Sequence, residues 1–381
     1  MTQKRKKVLI GANDLLVGGV QKLIIDQLQR LDRESFDFSL VTLFQFPNQG
    51  DFYELVPPGV DVWRLNFKNF WDVRSWMALV RVIRKVRPDI VKSSLFFSNI
   101  IFGCLQPFFG YRLIVAEHNT FVRKTKPQIF LNRILMHIAE TMVVDSNMVA
   151  DYLSQTEHID RGRYTVIYNG IDIDTIARAK LQYGPHRESI RREFGLRSSD
   201  KVFLNVARLS WQKNHELMIN AFARLNQLRN DCRLIIVGDG DNREPMREQI
   251  RSLGLDEQVL LVGERKRKDV ETFYCISDFF LLTSRHEGFC ITAMEGLAFG
   301  MPLLSTRVAG VSEYLKDGEN GFFVDSDPAD IAEKMNKVAD FSEEQIHSFA
   351  VSGMETARAY SLERYIQAYR DMLSTSTHTA V

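Results

Sequence analysis

The sequence predicts two α/β domains in tandem, each a doubly wound parallel sheet with helices on both faces. Three observations carry that expectation. Short apolar runs alternate with amphipathic stretches almost from end to end, beginning with "KVLIGAN", "GVQKLIIDQLQRL" and "DFSLVTL", the pattern of buried strands beside covering helices. The rhythm breaks once, at about residues 172–198, and restarts at "KVFLNVARLS". The chain has 381 residues, which is long for one core.

The elements follow in order. After the first three come strand-like "VDVWRL", helical "VRSWMALVRVIRKV", strand-like "DIVKSS" and an apolar run over 95–109. "RLIVAEH", a helix over about 127–140, "TMVVDS" and "RYTVIYNGI" complete the first half. The break is polar, lacks strand character and contains Gly-Pro, so it reads as a linker with a lead-in helix. The second half continues with helical "NHELMINAFARLNQL", strand-like "CRLIIVGDG", a helix over 242–253, "QVLLVGE" and a helix over 268–276. "DFFLLTS", helical "ITAMEGLAFG", "PLLST" and "GFFVDS" follow. An amphipathic helix over about 359–374 and a disordered tail, "STSTHTAV", are expected at the end. The expected domains are residues 1–180 and 181–358.

Bulk composition narrows the function classes. Apolar residues make up 45% and charged residues 25%, as in ordinary globular proteins. A net charge of +1 argues against a dedicated nucleic-acid binder. Cys104, Cys232, Cys275 and Cys290 are scattered without a C-x-x-C pair, which fits a reducing compartment and no zinc site. The opening "MTQKRKKVLIGAND" has too short an apolar run for a signal-peptide core. No charge-free apolar stretch is long enough to span a bilayer. A cytoplasmic location follows as the expectation.

Glu287 and Glu295 stand eight residues apart in "SRHEGFCITAMEGLAFGMPLLST". The first falls at the mouth of a strand-to-helix turn, and the second is expected about two turns into the helix. The amides of Gly288, Phe289, Cys290 and Ile291 lie between them. Free N–H groups at a helix start attract phosphate, and carboxylates accept hydrogen bonds from hydroxyls. The combination suits a sugar, a diphosphate and a ribose.

Ligands of doubly wound folds bind at the carboxyl ends of strands. Two such domains facing each other would form a cleft there. Gly18 and Gly19 follow the first strand, where a Gly pair permits close approach of a ligand or simply makes a tight turn. Their spacing is not G-x-G-x-x-G, which speaks against a nicotinamide site. His118 and Asn119 end "RLIVAEHN", a position open to a structural or a cleft-facing role. Arg208 and Lys213 follow the first strand of the second half and suit a diphosphate, whose developing charge they would stabilise on departure. Gly238, Asp239 and Gly240 read as a structural turn. The backbone at Gly263 and Glu264 could meet a nucleobase. The pairs Asp172/Asp174, Asp239/Asp241 and Asp325/Asp327 have metal-ligand spacing, but each sits in a turn or linker. With two cations at hand, no metal or other cofactor is expected.

Taken together, these residues resemble the retaining glycosyltransferases of family 4, the "glycosyl transferases group 1" family, which has the two-domain GT-B fold. The matching segments are "GGVQKLIIDQL", "EHN", "VIYNGID", "ARLSWQKNHELMINAF", "LIIVGDG", "VLLVGE", the Glu-bearing stretch and "RVAGVSEYLKDGENGFFV". The resemblance implies that Gly18 and Gly19 shape an acceptor-side loop near the donor phosphate and that His118 contacts the transferred sugar. Arg208 and Lys213 would hold the diphosphate. Glu287 would hold sugar hydroxyls, with the amides of Phe289, Cys290 and Ile291 around sugar and phosphate. Glu295 would bind the ribose. It further implies a metal-independent reaction without a covalent nucleophile, and a last helix returning to the first domain. Cys290 and His286 depart from the commonest pattern and leave the donor sugar open.

The resemblance places the acceptor in the first domain. There Trp63, Phe67, Phe70, Trp71 and Trp76 mix with Arg64, Lys68, Arg74, Arg81, Arg84, Lys85 and Arg87. Basic residues with aromatic anchors suit anionic headgroups, although sheet-covering helices with charged outer faces look the same. The implied partners are a nucleotide sugar, more readily UDP- than GDP-linked, and a glycan or lipid-linked acceptor, with peripheral contact at the inner face of a membrane. Two alternatives stand beside this reading: a catalytically silent scaffold that binds a glycan or protein, and a sugar-nucleotide epimerase of the same fold. A phosphorylase is disfavoured, because no lysine is evidently placed for a pyridoxal cofactor.

Overall fold

The computed structural model describes residues 5–46, 50–118 and 124–375. Asn119 and most of the tail lie outside the described residues. The first sheet contains β1 (Lys6–Ala12), β2 (Phe36–Thr42), β3 (Asp61–Arg64), β4 (Ile90–Ser94), β5 (Arg112–Glu117), β6 (Thr141–Val144) and β7 (Tyr164–Val166). Its order is β3-β2-β1-β4-β5-β6-β7. Every pairing is parallel. The second sheet contains β8 (Lys201–Val206), β9 (Cys232–Val237), β10 (Val259–Gly263), β11 (Phe279–Leu282), β12 (Leu303–Thr306) and β13 (Gly321–Val324). Its order is β10-β9-β8-β11-β12-β13, again all parallel. The expected pair of doubly wound sheets is what forms.

Each sheet starts at its centre and winds outward in both directions. The winding reverses between β1 and β4 in one sheet and between β8 and β11 in the other. Loops leaving adjacent central strands splay apart there and open a crevice at the carboxyl ends. The central strands are buried on both faces: Val8, Leu9 and Ile10 in β1, and Val202, Phe203 and Leu204 in β8. That explains their unbroken apolar runs.

The chain divides into two units, residues 1–170 with 363–381, and residues 171–362. The polar stretch read as a linker with a lead-in helix is helical almost from its start and belongs to the second unit. It forms helices Ile173–Tyr183 and Arg187–Glu193, joined by a 3-10 turn at Gly184–His186. Asp172 caps the first, accepting from the Thr175 amide at 2.9 Å. Only Ile176 and Ala179 of that helix are buried, so its apolar stripe is too thin to register as a periodic signal. The apolar run over 95–109 is a helix, Phe96–Phe109, that buries Ile100, Ile101, Phe102 and Leu105.

The C-terminal stretch forms two helices, Glu343–Ala359 and Leu362–Ser374. The first has a capping box between Ser342 and Gln345. The second buries Tyr365, Ile366, Tyr369 and Leu373. Gln27 donates to the Tyr365 hydroxyl at 2.5 Å. Lys6 Nζ and Arg112 donate to the last carbonyls of this helix, reaching Ser374 at 2.7 Å and Met372 at 3.2 Å. Cations at that end also complement the helix dipole.

Candidate active site

The loops after β8 and β11 flank the crevice of the second sheet. The first carries Arg208 and Lys213, and the second carries Glu287. They are stitched together by backbone and side-chain bonds. Arg285 N donates to Gln212 O at 2.8 Å, and Gln212 Nε2 donates to His286 O at 2.8 Å. Thr283 Oγ1 donates to Asn214 O at 3.1 Å. The result brings Lys213 Nζ to 2.5 Å from Glu287 Oε1, and the Ser284 hydroxyl donates to the same oxygen at 2.7 Å. Glu287 is buried. Burial works against the charge on Lys213, but the Glu287 carboxylate outweighs it and the net shift of the amine is upward. The amine therefore stays protonated, and Oε2 of Glu287 takes neither contact. Arg208 is exposed.

Two glycines hold the Arg208 loop in place. A Cβ on Gly238 (φ 142°) would lie 1.9 Å from the Ala207 carbonyl oxygen, and one on Gly240 (φ 156°) 2.4 Å from that of Leu209. The turn after β9 thus packs backbone to backbone against the loop after β8, and only glycine fits. The structural reading of these glycines matches the geometry.

Helix Ile291–Phe299 starts at an N-cap, Cys290, with φ 64° and no side-chain cap. Its first ladder bond is Met294 N to Cys290 O at 3.3 Å, so the amides of Ile291 and Thr292 precede the ladder. The Tyr314 hydroxyl donates to Phe289 O and Cys290 O at 3.0 and 3.2 Å. Gly310 lies against Gly288, where a Cβ would come within 2.1 Å of the carbonyl oxygen. These contacts fix the turn Gly288–Ile291 from below. Burial, then Glu287, push the Cys290 thiol up to about 12, so it stays protonated.

Glu295 is the fifth residue of this helix, about one turn in rather than two, because the left-handed cap at Cys290 delays the helix start. It is buried and paired. Arg267 Nη1 lies 2.5 Å from Oε1, and the Tyr274 hydroxyl donates to Oε2 at 3.0 Å. Glu295, followed by smaller effects, holds the Arg267 guanidinium well above its usual value. Gly263, at the end of β10, has φ 81° and offers its carbonyl to Gly238 N at 3.0 Å. Glu264 beside it is exposed.

In the first unit, Gly18 is the N-cap of helix Gly19–Arg30 and has extended backbone, φ −175°. Its conformation does not demand glycine, and a Cβ would meet only the end of the Gln21 side chain, at 2.7 Å. His118 follows β5. Its Nδ1 lies 2.7 Å from Asp145 Oδ1, with both side chains buried. His118 Nε2 is buried without a hydrogen-bond partner among the described residues. Among the described residues no cluster of three or more metal-ligating side chains occurs.

Sequence reasoning singled out Glu287 on one loop and the Arg208–Lys213 pair on another, and the structure brings Lys213 and Glu287 into contact. It missed Ser284, Arg267, Tyr274 and Asp145. Arg267 and Asp145 both follow strand ends, so a search of every strand end for charge would have found them. Tyr274 sits mid-helix and carries no such signal.

Two family models match the chain. "Glycosyltransferase Family 4" covers residues 17–175, and "Glycosyl transferases group 1" covers residues 186–348. The chain belongs to the group 1, family 4 glycosyltransferases. Family relatives include N-acetyl-α-D-glucosaminyl L-malate synthase of Bacillus anthracis, 22% identical over 62% of this chain and 60% of that protein. Another is the UDP-Gal:α-D-GlcNAc-diphosphoundecaprenol α-1,3-galactosyltransferase of Escherichia coli, 24% identical over 83% of each. Matches to several relatives span only about half of the relative's own length, from 39% to 60%. Anabaena HepE, solved with UDP and glucose, superposes with a TM-score of 0.84 at 19% identity, over 98% of this chain and 100% of that one. That likeness shows the fold, the GT-B fold of two Rossmann-like units.

Proposed function

We propose that this chain transfers a hexose from a UDP-linked donor to a hydroxyl of a glycan or lipid-linked acceptor, with retention of anomeric configuration. The observation that carries the reading is the Lys213–Glu287 pair at the crevice of the second sheet. It sets a cation for a diphosphate beside a carboxylate for sugar hydroxyls, in front of a helix start. Arg208 adds a second cation, and the amides of Phe289, Cys290 and Ile291 border the sugar and phosphate. Glu295 receives the ribose, and Gly263 and Glu264 lie toward the base.

In the proposed reaction the acceptor oxygen bonds to the anomeric carbon on the face the diphosphate leaves. The bond from carbon to phosphate oxygen breaks, and the acceptor proton passes to that departing oxygen. Arg208 and Lys213 stabilise the charge that develops on it, so the reading needs neither a metal nor a covalent nucleophile. The protonated Cys290 thiol is consistent with that. His118, held by Asp145, presents Nε2 to the transferred sugar, and Gly18 and Gly19 shape the acceptor-side loop. The choice of donor and acceptor draws on the relative named for UDP-linked galactose and diphosphoundecaprenol. Peripheral contact with an anionic membrane is part of the proposal. It is supported by Trp71 and Phe108, 82% and 81% exposed, on a unit rich in arginine and lysine. No described helix is long and apolar enough to cross a membrane.

The test is thermal shift with UDP-glucose, UDP-N-acetylglucosamine, UDP-galactose, GDP-mannose and the free diphosphates, with and without EDTA. It is run on the native chain, Glu287→Ala and Arg208→Ala. Stabilisation by UDP compounds that resists EDTA and weakens in both variants is the expected result. No stabilisation by any nucleotide would leave the silent scaffold as the better reading. Release of UDP on adding acceptor separates transfer from epimerisation.

A further inference from the structure

A second cavity lies at the opposite end of the second sheet, beside the residues that lead into β11 and β12. Its volume is about 350 Å³, and it is lined by Lys180, Arg187, Tyr274, Phe299, Met301 and Ile346, among others. That volume falls at the small end of the range for ligand pockets. All these residues belong to the second unit. Tyr274 and Phe299 stack face to face with ring centroids 4.8 Å apart and planes 5° apart.

The charges in this cavity do not cancel. Asp278 is the carboxylate on its wall, and it is engaged three times over. Arg187 Nη2 donates to it at 2.5 Å, Arg191 Nη2 at 2.8 Å and the Val202 amide at 2.8 Å. Two guanidinium groups thus share one carboxylate. Lys180 has no carboxylate partner among the described residues. Its Nζ lies 3.5 Å from the Met354 thioether, a weak acceptor. Burial lowers its pKa, offset only by the nearby Cys275 thiol. A half-buried ammonium without a carboxylate of its own, beside a carboxylate already shared by two guanidinium groups, is a place that an anion would complete.

Tyr274 belongs to two places at once. It lines this cavity, and its hydroxyl donates to Glu295 Oε2 at 3.0 Å. A ligand that shifts the ring changes the support of the Glu295–Arg267 pair. We propose that the cavity binds a small organic anion, an acid group on a flat apolar body, and that its occupancy alters nucleotide affinity through Tyr274. The second half of this statement rests on the donor reading given above; the first does not.

Phenyl phosphate and benzoate serve as probes, with benzyl alcohol as the neutral control. Each is titrated into the full chain with carbon-13 labelled methionine methyls, read by NMR. Met301 lines the cavity, Met354 touches Lys180, and Met218 lies in the core away from both. Saturable shifts of Met301 and Met354 are expected with both anions, with Met218 unmoved. In Lys180→Met the affinity should fall at least tenfold, and benzyl alcohol should bind at least tenfold more weakly than benzoate. No shift, equal binding of the alcohol, or equal binding by a Lys180→Met variant whose Met218 signal is native would each overturn the site. UDP affinity is then measured with and without saturating benzoate. A threefold or larger change that vanishes in Lys180→Met and in Tyr274→Phe is expected. An unchanged affinity, or a change that persists in Lys180→Met, would overturn the coupling. The methyl shifts need no nucleotide, so failure of UDP to bind would strike the donor reading and leave the anion site standing.

Discussion

Glu287 is buried with the half-buried Lys213 ammonium against it, and the carboxylate is tolerable there because of that partner. Removing one partner strands the remaining charge, which costs about 3 kcal/mol or more in a buried pair. Lys213→Met should therefore destabilise the second unit by roughly that amount. Adding Glu287→Gln should recover most of the stability and none of the nucleotide binding. Chemical denaturation and UDP titration of the three variants separate the two effects; a double variant that binds UDP normally would remove the pair from the site. His215, next in the chain after this loop, carries a pH dependence. It is buried, with Nε2 3.1 Å from Asn205 Oδ1. Burial, with the Lys213 charge, lowers its pKa from 6.5 to about 4. Between those values the unfolded chain holds a proton that the folded chain refuses. The stabilising contribution is thus complete above pH 6.5 and is lost as pH falls toward 4, by roughly 3 kcal/mol in all. In His215→Gln this acid limb should flatten, as read by urea midpoints across that pH range.

At the scale of elements, Leu95 has an unusual backbone, linking β4 to helix Phe96–Phe109 with φ 73° and ψ 149°. That region is close to glycine's alone and costs an ordinary residue about 1–3 kcal/mol. Leu95 stands beside the crevice of the first sheet, where its amide donates to Ala116 O at 3.0 Å. Leu95→Gly should raise the melting temperature of the first unit; a fall would mean the side chain's contacts outweigh the strain. Strained turns and thin stripes are also where sequence reasoning stopped short. The central strands were legible because burial on both faces writes an unbroken apolar run, as in "KVLIGA" and "KVFLNV". The helix after Asp172 was not, since it turns so few residues inward. The cap at Cys290 was not either, because left-handed backbone at a non-glycine residue leaves no mark in composition. The same limit hid Tyr274, whose partner Glu295 is 21 positions away.

At the scale of the whole molecule, the first unit is assembled from both ends of the chain. Tyr365, Ile366, Tyr369 and Leu373 are buried, and Lys92 in β4 lies 5.4 Å from the Tyr369 ring. A chain stopped at residue 360 would uncover the apolar surface these side chains fill. At about 1.5 kcal/mol or more for each buried side chain, the first unit should lose on the order of 5 kcal/mol. Hydrogen exchange should quicken in β1, β4 and helix Gly19–Arg30 and stay unchanged in β8 and β9. Equal quickening in both sheets would contradict this division of the chain.

The two places where the chain enters and leaves the second unit are neighbours. Ile171 pairs with Ser361 in a parallel bridge, Ile171 N donates to Tyr360 O at 3.0 Å, and Leu362 N donates to Ile171 O at 2.8 Å. Residues 171–362 are therefore a cassette whose two seams lie side by side, at about the 4.8 Å spacing of adjacent strands. A recombinant that exchanges this cassette for the equivalent stretch of a relative has one small hydrogen-bonded joint to preserve, not two remote ones.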